Sequence, residues 1–130
     1  MMADENVAVM RHVFEHLDSS DPSVLNEHPG LADLKKNFLA LKTAFPDLRL
    51  TVEKQLEQGE WVATYILLQG THTGEIFGIA PTHKTVQFQG LSIARVENGS
   101  ITQYNSEIGW KDILLQTGVL PVTGPSTNQG

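Results

Sequence analysis

Cysteine is absent from this chain, which excludes disulfides, thiolate metal sites and a cysteine nucleophile together. Positive charge is scarce: nine Lys and Arg stand against fifteen Asp and Glu, for a net charge of −6. That balance repels a phosphate backbone, so nucleic acid is not an expected partner. Long apolar runs are missing too. None approaches the roughly 20 residues that span a bilayer, and the N-terminus is acidic and polar rather than basic and then apolar. No membrane partner is expected, and the default compartment is cytoplasmic.

What is present has a globular composition, 130 residues with 40% hydrophobic and 18% charged side chains. That is one domain with a real core, expected over residues 1–120. Residues 121–130 have the composition of a disordered tail. Val7, Met10, Phe14 and Leu17, with Val13 widening the stripe, predict an amphipathic helix over 4–18, with Asp4 as N-cap. Leu31, Leu34, Phe38, Leu41 and Phe45 repeat the rhythm and predict a second helix over 31–44, stopped by Pro46. Pro22 to Gly30 is expected to be a linker.

From Leu48 the period shifts to two, as in a half-buried strand. Gln58-Gly59-Glu60 turns into a strand over 61–68 that is apolar on both faces and therefore central or covered. A third strand is expected over 84–96. Asn98-Gly99 is a strong hairpin signal into a fourth, from 101 to about 109. A helical turn over 111–116 ends at Gly118. Helices followed by a four-stranded antiparallel meander give an α+β fold, a curved sheet wrapped around its helices.

Between the second and third strands runs a connector punctuated by glycine and proline. It carries Gly70-Thr71-His72-Thr73-Gly74-Glu75, then Gly78-Ile79-Ala80-Pro81-Thr82, then Lys84 and Val86. This segment resembles the loop motif of the SnoaL-like polyketide cyclases, in the NTF2-like, ketosteroid-isomerase-like superfamily. The resemblance extends to Ala44-Phe45-Pro46-Asp47-Leu48 upstream, and downstream to Gly99-Ser100-Ile101 and Leu114-Leu115-Gln116-Thr117-Gly118. It implies an NTF2-like cone with an apolar interior, and a homodimer. It also implies a cyclase or isomerase acting on a small hydrophobic carbonyl compound by acid-base catalysis, with no metal and no organic cofactor. Burial suits such a carboxyl, because desolvation raises its pKa toward neutrality.

The family's acid-base aspartate aligns with Gly109, and the tryptophan of the same pattern aligns with Asn105. The vacancy leaves a second reading open, a non-catalytic protein that binds a small hydrophobic ligand. Strand periodicity puts Gln103, Asn105, Glu107 and Gly109 on one face. If that face looks inward, Glu107 lies about 7 Å along the strand from the vacant position and is the expected catalytic carboxylate. Asp112 is the next acid. His28, in a turn at the cavity mouth, and His72, in the loop motif, are ligand-binding candidates with Gln103 and Asn105. Tyr65 and Tyr104 are candidates as hydroxyl donors, each lining the interior only if its strand parity allows. His83, where the family has glycine, is expected on the surface. His12 to His16 spells H-x-x-E-H, a zinc-binding pattern that needs a further ligand on a downstream helix; no metal site is expected. Asn98-Gly99-Ser100, which also spells a glycosylation acceptor, is taken as a turn.

Overall fold

The three-and-four spacing of Met10, Val13, Phe14 and Leu17 yields a helix with one face almost wholly buried. In the computed structural model, which describes residues 2–76 and 78–119, this is α1, Met2–Asp18. It starts before Asp4, so the expected N-cap falls inside the helix. The supposed linker is folded. Asp21 caps a 3-10 turn, Pro22–Asn26, by accepting from the Ser23 N–H and hydroxyl. A second 3-10 turn, Pro29–Leu31, follows it. Proline at each turn's first residue presets φ and gives up an N–H that would have no partner there. The two turns deliver Val24, Leu25 and Leu31 to the core and lead into α2, Ala32–Ala44, whose Leu34, Phe38, Leu41 and Ala44 are buried.

The strands are β1, Arg49–Gln58; β2, Trp61–Thr71; β3, Thr85–Glu97; and β4, Ser100–Ile108. They form one antiparallel sheet in the order β1-β2-β3-β4, so β2 is central as expected. At the β3–β4 hairpin Asn98 and Gly99 both have positive φ, 53° and 80°, the backbone that such a two-residue turn requires. The helix expected at the end is α3, Trp110–Thr117, beside β3. Because β4 stops at the Gly90–Ile108 pair, the backbone of Gln87 lies beyond its reach. The Gln116 side chain bonds that N–H and C=O instead, at 2.9 and 2.7 Å. The expected tail, 121–130, lies outside the described residues.

Both edge strands are bulged. In β1 the pairing jumps from Val52–Ile66 to Lys54–Tyr65 and leaves Glu53 extra. In β4 it jumps from Val96–Ile101 to Arg95–Gln103 and leaves Thr102 extra. One inserted residue exchanges the inward and outward positions of everything beyond it. Beyond the first bulge Leu56 is therefore turned outward, where it is 64% exposed.

Helix α1 is tied to β1 where the two elements meet. The Asp18 carboxylate accepts from Arg49 Nε and Nη2 at 2.9 and 3.1 Å and from the Leu50 N–H at 2.7 Å. The Arg49 hydrogen bond holds its carboxyl below the ordinary 3.8, partial burial opposes that shift, and the Leu50 N–H reinforces it. Asp18→Asn should cost about 1–2 kcal/mol at neutral pH in denaturant unfolding. The folded carboxyl titrates lower than the unfolded one, so its contribution is complete above pH 3.8 and is lost as pH falls through the folded value. The two proteins' stabilities should therefore converge in acid. A gap that stays constant down to about pH 2 would contradict this.

Candidate functional site

On β3, Val86, Phe88, Gly90, Ser92, Ala94 and Val96 face inward, and β2 aligns Val62, Thr64, Ile66 and Leu68 beside them. Gly90 leaves the middle of this face without bulk, and Ser92 and Ala94 add little. A hollow results between the sheet and the helices. Phe14 and Leu17 of α1 wall it on one side, and Leu34, Phe38 and Leu41 of α2 on another. Leu50, Ile66 and Leu68 supply the sheet's hydrocarbon, and the polar lining is Asn37, Ser92, Tyr104 and Ser106. The space among these walls is about 410 Å³ with its mouth included, but only about 20 Å³ of it is wide enough for a water centre. That is room for roughly one water, against roughly 300–1,000 Å³ for a typical ligand pocket. A ligand must therefore part the walls. The close backbone neighbours of α2 are mainly the two 3-10 turns and, at its C-terminal end, Thr73 and Gly74, so the middle of α2 is the part of the wall best able to yield.

The Thr102 bulge decides which β4 side chains reach the hollow. Ile101 is fully buried, and simple alternation from it would bring Gln103, Asn105 and Glu107 inward. The extra residue reverses that parity. Tyr104, Ser106 and Ile108 line the hollow, while Gln103, Asn105 and Glu107 are exposed on the outer face beside Arg95, Ile93 and Leu91. The expectation that Glu107 is a cavity carboxylate is corrected accordingly, and so is the pocket placement of Gln103 and Asn105. Tyr65 is likewise on the outer face, its hydroxyl 2.9 Å from Gln89 Oε1. Asp112 is exposed in the first turn of α3, and its Oδ2 would lie 3.5 Å from a Cβ placed on Gly109.

Tyr104 is the candidate that the fold brings into the hollow. Burial pushes its phenol up from the ordinary value, while the hydroxyls of Ser92 and Ser106 beside it pull the other way. The approach to Ser92 falls short of a well-formed hydrogen bond, since the buried Ser92 Oγ completes none. Ser92, Ser106 and Asn37 escaped the sequence reading. Plain alternation along β3 was the available signal for Ser92, whereas Ser106 faces inward only because of the bulge, and Thr102 carries no mark of one.

The histidines brace the structure. His28, half-buried, accepts the Ile101 N–H at Nδ1 over 3.1 Å and so ties the second turn to β4; burial lowers its pKa. His72 is 1% exposed. Its Nδ1 accepts the Thr82 N–H at 3.3 Å and lies 2.9 Å from the Thr82 hydroxyl, which puts the ring proton on Nε2. Neither histidine is in the hollow's lining. His83 is exposed with φ 60°, a backbone that suits the glycine it replaces. The His12 and His16 rings lie 4.0 Å apart, and among the described residues no three His, Cys, Asp or Glu side chains are grouped to hold a metal.

The loop motif clamps α2 to the sheet. The Thr73 and Gly74 N–H groups both donate to Ala44 O at 3.1 Å. Asp47 Oδ1 accepts the Thr71 N–H at 2.8 Å. The two glycines make room for these contacts, because a Cβ on Gly70 would meet Phe45 and one on Gly74 would strike the Thr43 carbonyl oxygen.

The family model described as SnoaL-like polyketide cyclase matches residues 5–116. The chain is 29% identical over 108 residues to the nogalonic acid methyl ester cyclase of Streptomyces nogalater, covering 79% of each. It is 28% identical over 105 residues to an aklanonic acid methyl ester cyclase of Streptomyces peucetius, covering 78% of this chain and 70% of the relative. Among solved structures, AclR from Streptomyces galilaeus superposes with TM-score 0.85 at 23% identity, over 98% of this chain and 89% of that one. TsrD from Streptomyces laurentii does so with TM-score 0.78 at 20% identity, over 90% and 97%. The structural likenesses establish the fold, an NTF2-like α+β cone.

Gly74→Ala should destabilise the protein by about 3 kcal/mol, because backbone rather than a flexible side chain must give way. Unfolding midpoints measure this. An unchanged midpoint would mean that the motif does not hold α2 in the way described.

Proposed function

Because the chain belongs to the SnoaL-like polyketide cyclase family, we propose that it is a cyclase or isomerase. It takes a small hydrophobic carbonyl compound into the hollow and closes a ring by an aldol-type step, without metal or organic cofactor. The single observation that carries this reading is an apolar hollow in which three hydroxyl residues, Ser92, Tyr104 and Ser106, come together on the sheet wall. Support comes also from the two relatives, both cyclases of methyl esters. The reading takes the protein to work in the cytoplasm.

A second reading, a binding protein without catalysis, draws on a specific observation: among the described residues neither a carboxylate nor an imidazole lines the hollow, in keeping with the resemblance, by which Gly109 aligns with the family's aspartate. Turnover of β-dicarbonyl and polyketide-like substrates, beside native mass spectrometry of the purified protein, separates the two. Ring-closed product supports the enzyme, whereas a retained, unaltered ligand without turnover supports the binder. Glu107→Gln should leave turnover within about twofold. A loss of about a hundredfold or more, the scale of general acid-base catalysis, would return Glu107 to the mechanism.

The outer sheet face exposes Leu56, Trp61, Leu91 and Ile93, apolar side chains of the kind that marks an interaction site. A homodimer joined through this face accounts for it. Sedimentation should give a dimer at micromolar concentration, with Ile93→Glu shifting it to monomer. A monomeric native protein would dismiss the contact.

A further inference from the structure

We propose that Tyr104 donates its phenolic hydrogen to the carbonyl oxygen of the compound in the hollow, with the Ser92 hydroxyl as a second donor to that oxygen. The proposal deepens the preceding reading and rests on it. Tyr104 is paired with Ala94, and Ser92 with Ser106, so the three hydroxyl residues are close neighbours on adjacent strands of one wall. Ser92 is 5% exposed, and its buried Oγ has no partner. A polar group left so is costly unless something satisfies it, and the hollow it lines is where an occupant would do so. Around these hydroxyls the wall is mostly hydrocarbon. The complementary ligand has an apolar body and one oxygen-bearing end.

The lining also limits the chemistry. With its phenol pushed up by burial, Tyr104 is protonated at neutral pH and serves as a donor rather than a resting base. With no carboxylate or imidazole lining the hollow among the described residues, the substrate must bring its own acidity. That favours β-dicarbonyl compounds, which are substantially enolic. The enol carbon bonds to the acceptor carbonyl carbon, and the carbonyl π pair moves to its oxygen. That oxygen takes the Tyr104 proton as the phenol oxygen recovers one from the enol hydroxyl. Atoms and charge balance, and Tyr104 returns to its starting form.

The test uses the full chain and a named probe, 2-acetylnaphthalene labelled with carbon-13 at its carbonyl, an apolar ring carrying one acceptor. Infrared spectroscopy of the bound probe should show a lowered C=O stretch. In Tyr104→Phe the stretch should rise toward its value in an apolar solvent while affinity falls by about tenfold or less, the scale of one neutral hydrogen bond. Ser92→Ala, which removes a hydroxyl that has no partner in the fold, should raise it by less. Gly90→Val, which fills the hollow, should weaken binding by more than about tenfold. A bound probe whose stretch is the same in native protein, Tyr104→Phe and Ser92→Ala overturns the donor assignment alone and leaves the hollow as the binding site. Failure of the native protein to bind the probe, or undiminished binding by Gly90→Val, overturns the occupied hollow and this proposal with it.

Discussion

A strand pairs through its backbone, and one extra residue in β4 sets what the interior is made of. Thr102 has no partner in the ladder with β3. Its hydroxyl is held by Glu97 Oε2 at 2.6 Å, next to the hairpin. Beyond it every inward position becomes outward. Tyr104, Ser106 and Ile108 turn to the helices, and Glu107 turns away from them. A hollow that would have held a carboxylate and two amides from this strand has a phenol and a hydroxyl instead.

The same sheet accounts for why there is a hollow at all. Gly90 and its small neighbours leave the inner face of β3 shallow just where Tyr104 and Ser106 come in from β4. Helix α2 spans the opening. Its C-terminal end is fastened to the loop after β2 through Ala44, Thr73 and Gly74, while between its ends it meets the sheet by side chains such as Phe38 and Leu41. Such a wall can yield to an occupant by repacking side chains without breaking backbone hydrogen bonds. The glycines of the loop motif hold the wall in place and do not themselves line the hollow.

The outer face follows from the same parity. The first bulge turns Leu56 outward, and the second sets Glu107 and Asn105 beside Leu91 and Ile93. Apolar side chains on this face belong to no core of the single chain. The sheet therefore separates a face closed by helices from one whose apolar side chains stand exposed.

Amphipathic spacing, the proline stops and the Asn98-Gly99 turn determined, from the sequence by itself, the helices, the four strands and their order, while the loop motif from Gly70 to Val86 carried the resemblance to the family. These signals are local: a helix face, a blocked N–H and a positive φ each depend on a few adjacent residues. The linker before α2 was less legible, because Asp21 and Pro22 make a capped 3-10 turn from residues that equally suit a loop. The chemistry of the hollow was decided only in the tertiary structure. Period-two spacing put Gln103, Asn105, Glu107 and Gly109 on one face and made Glu107 a cavity carboxylate only if that face looked inward, and the extra residue at Thr102 turns it outward. A bulge arises from how two strands fit each other, and no property of Thr102 alone announces it.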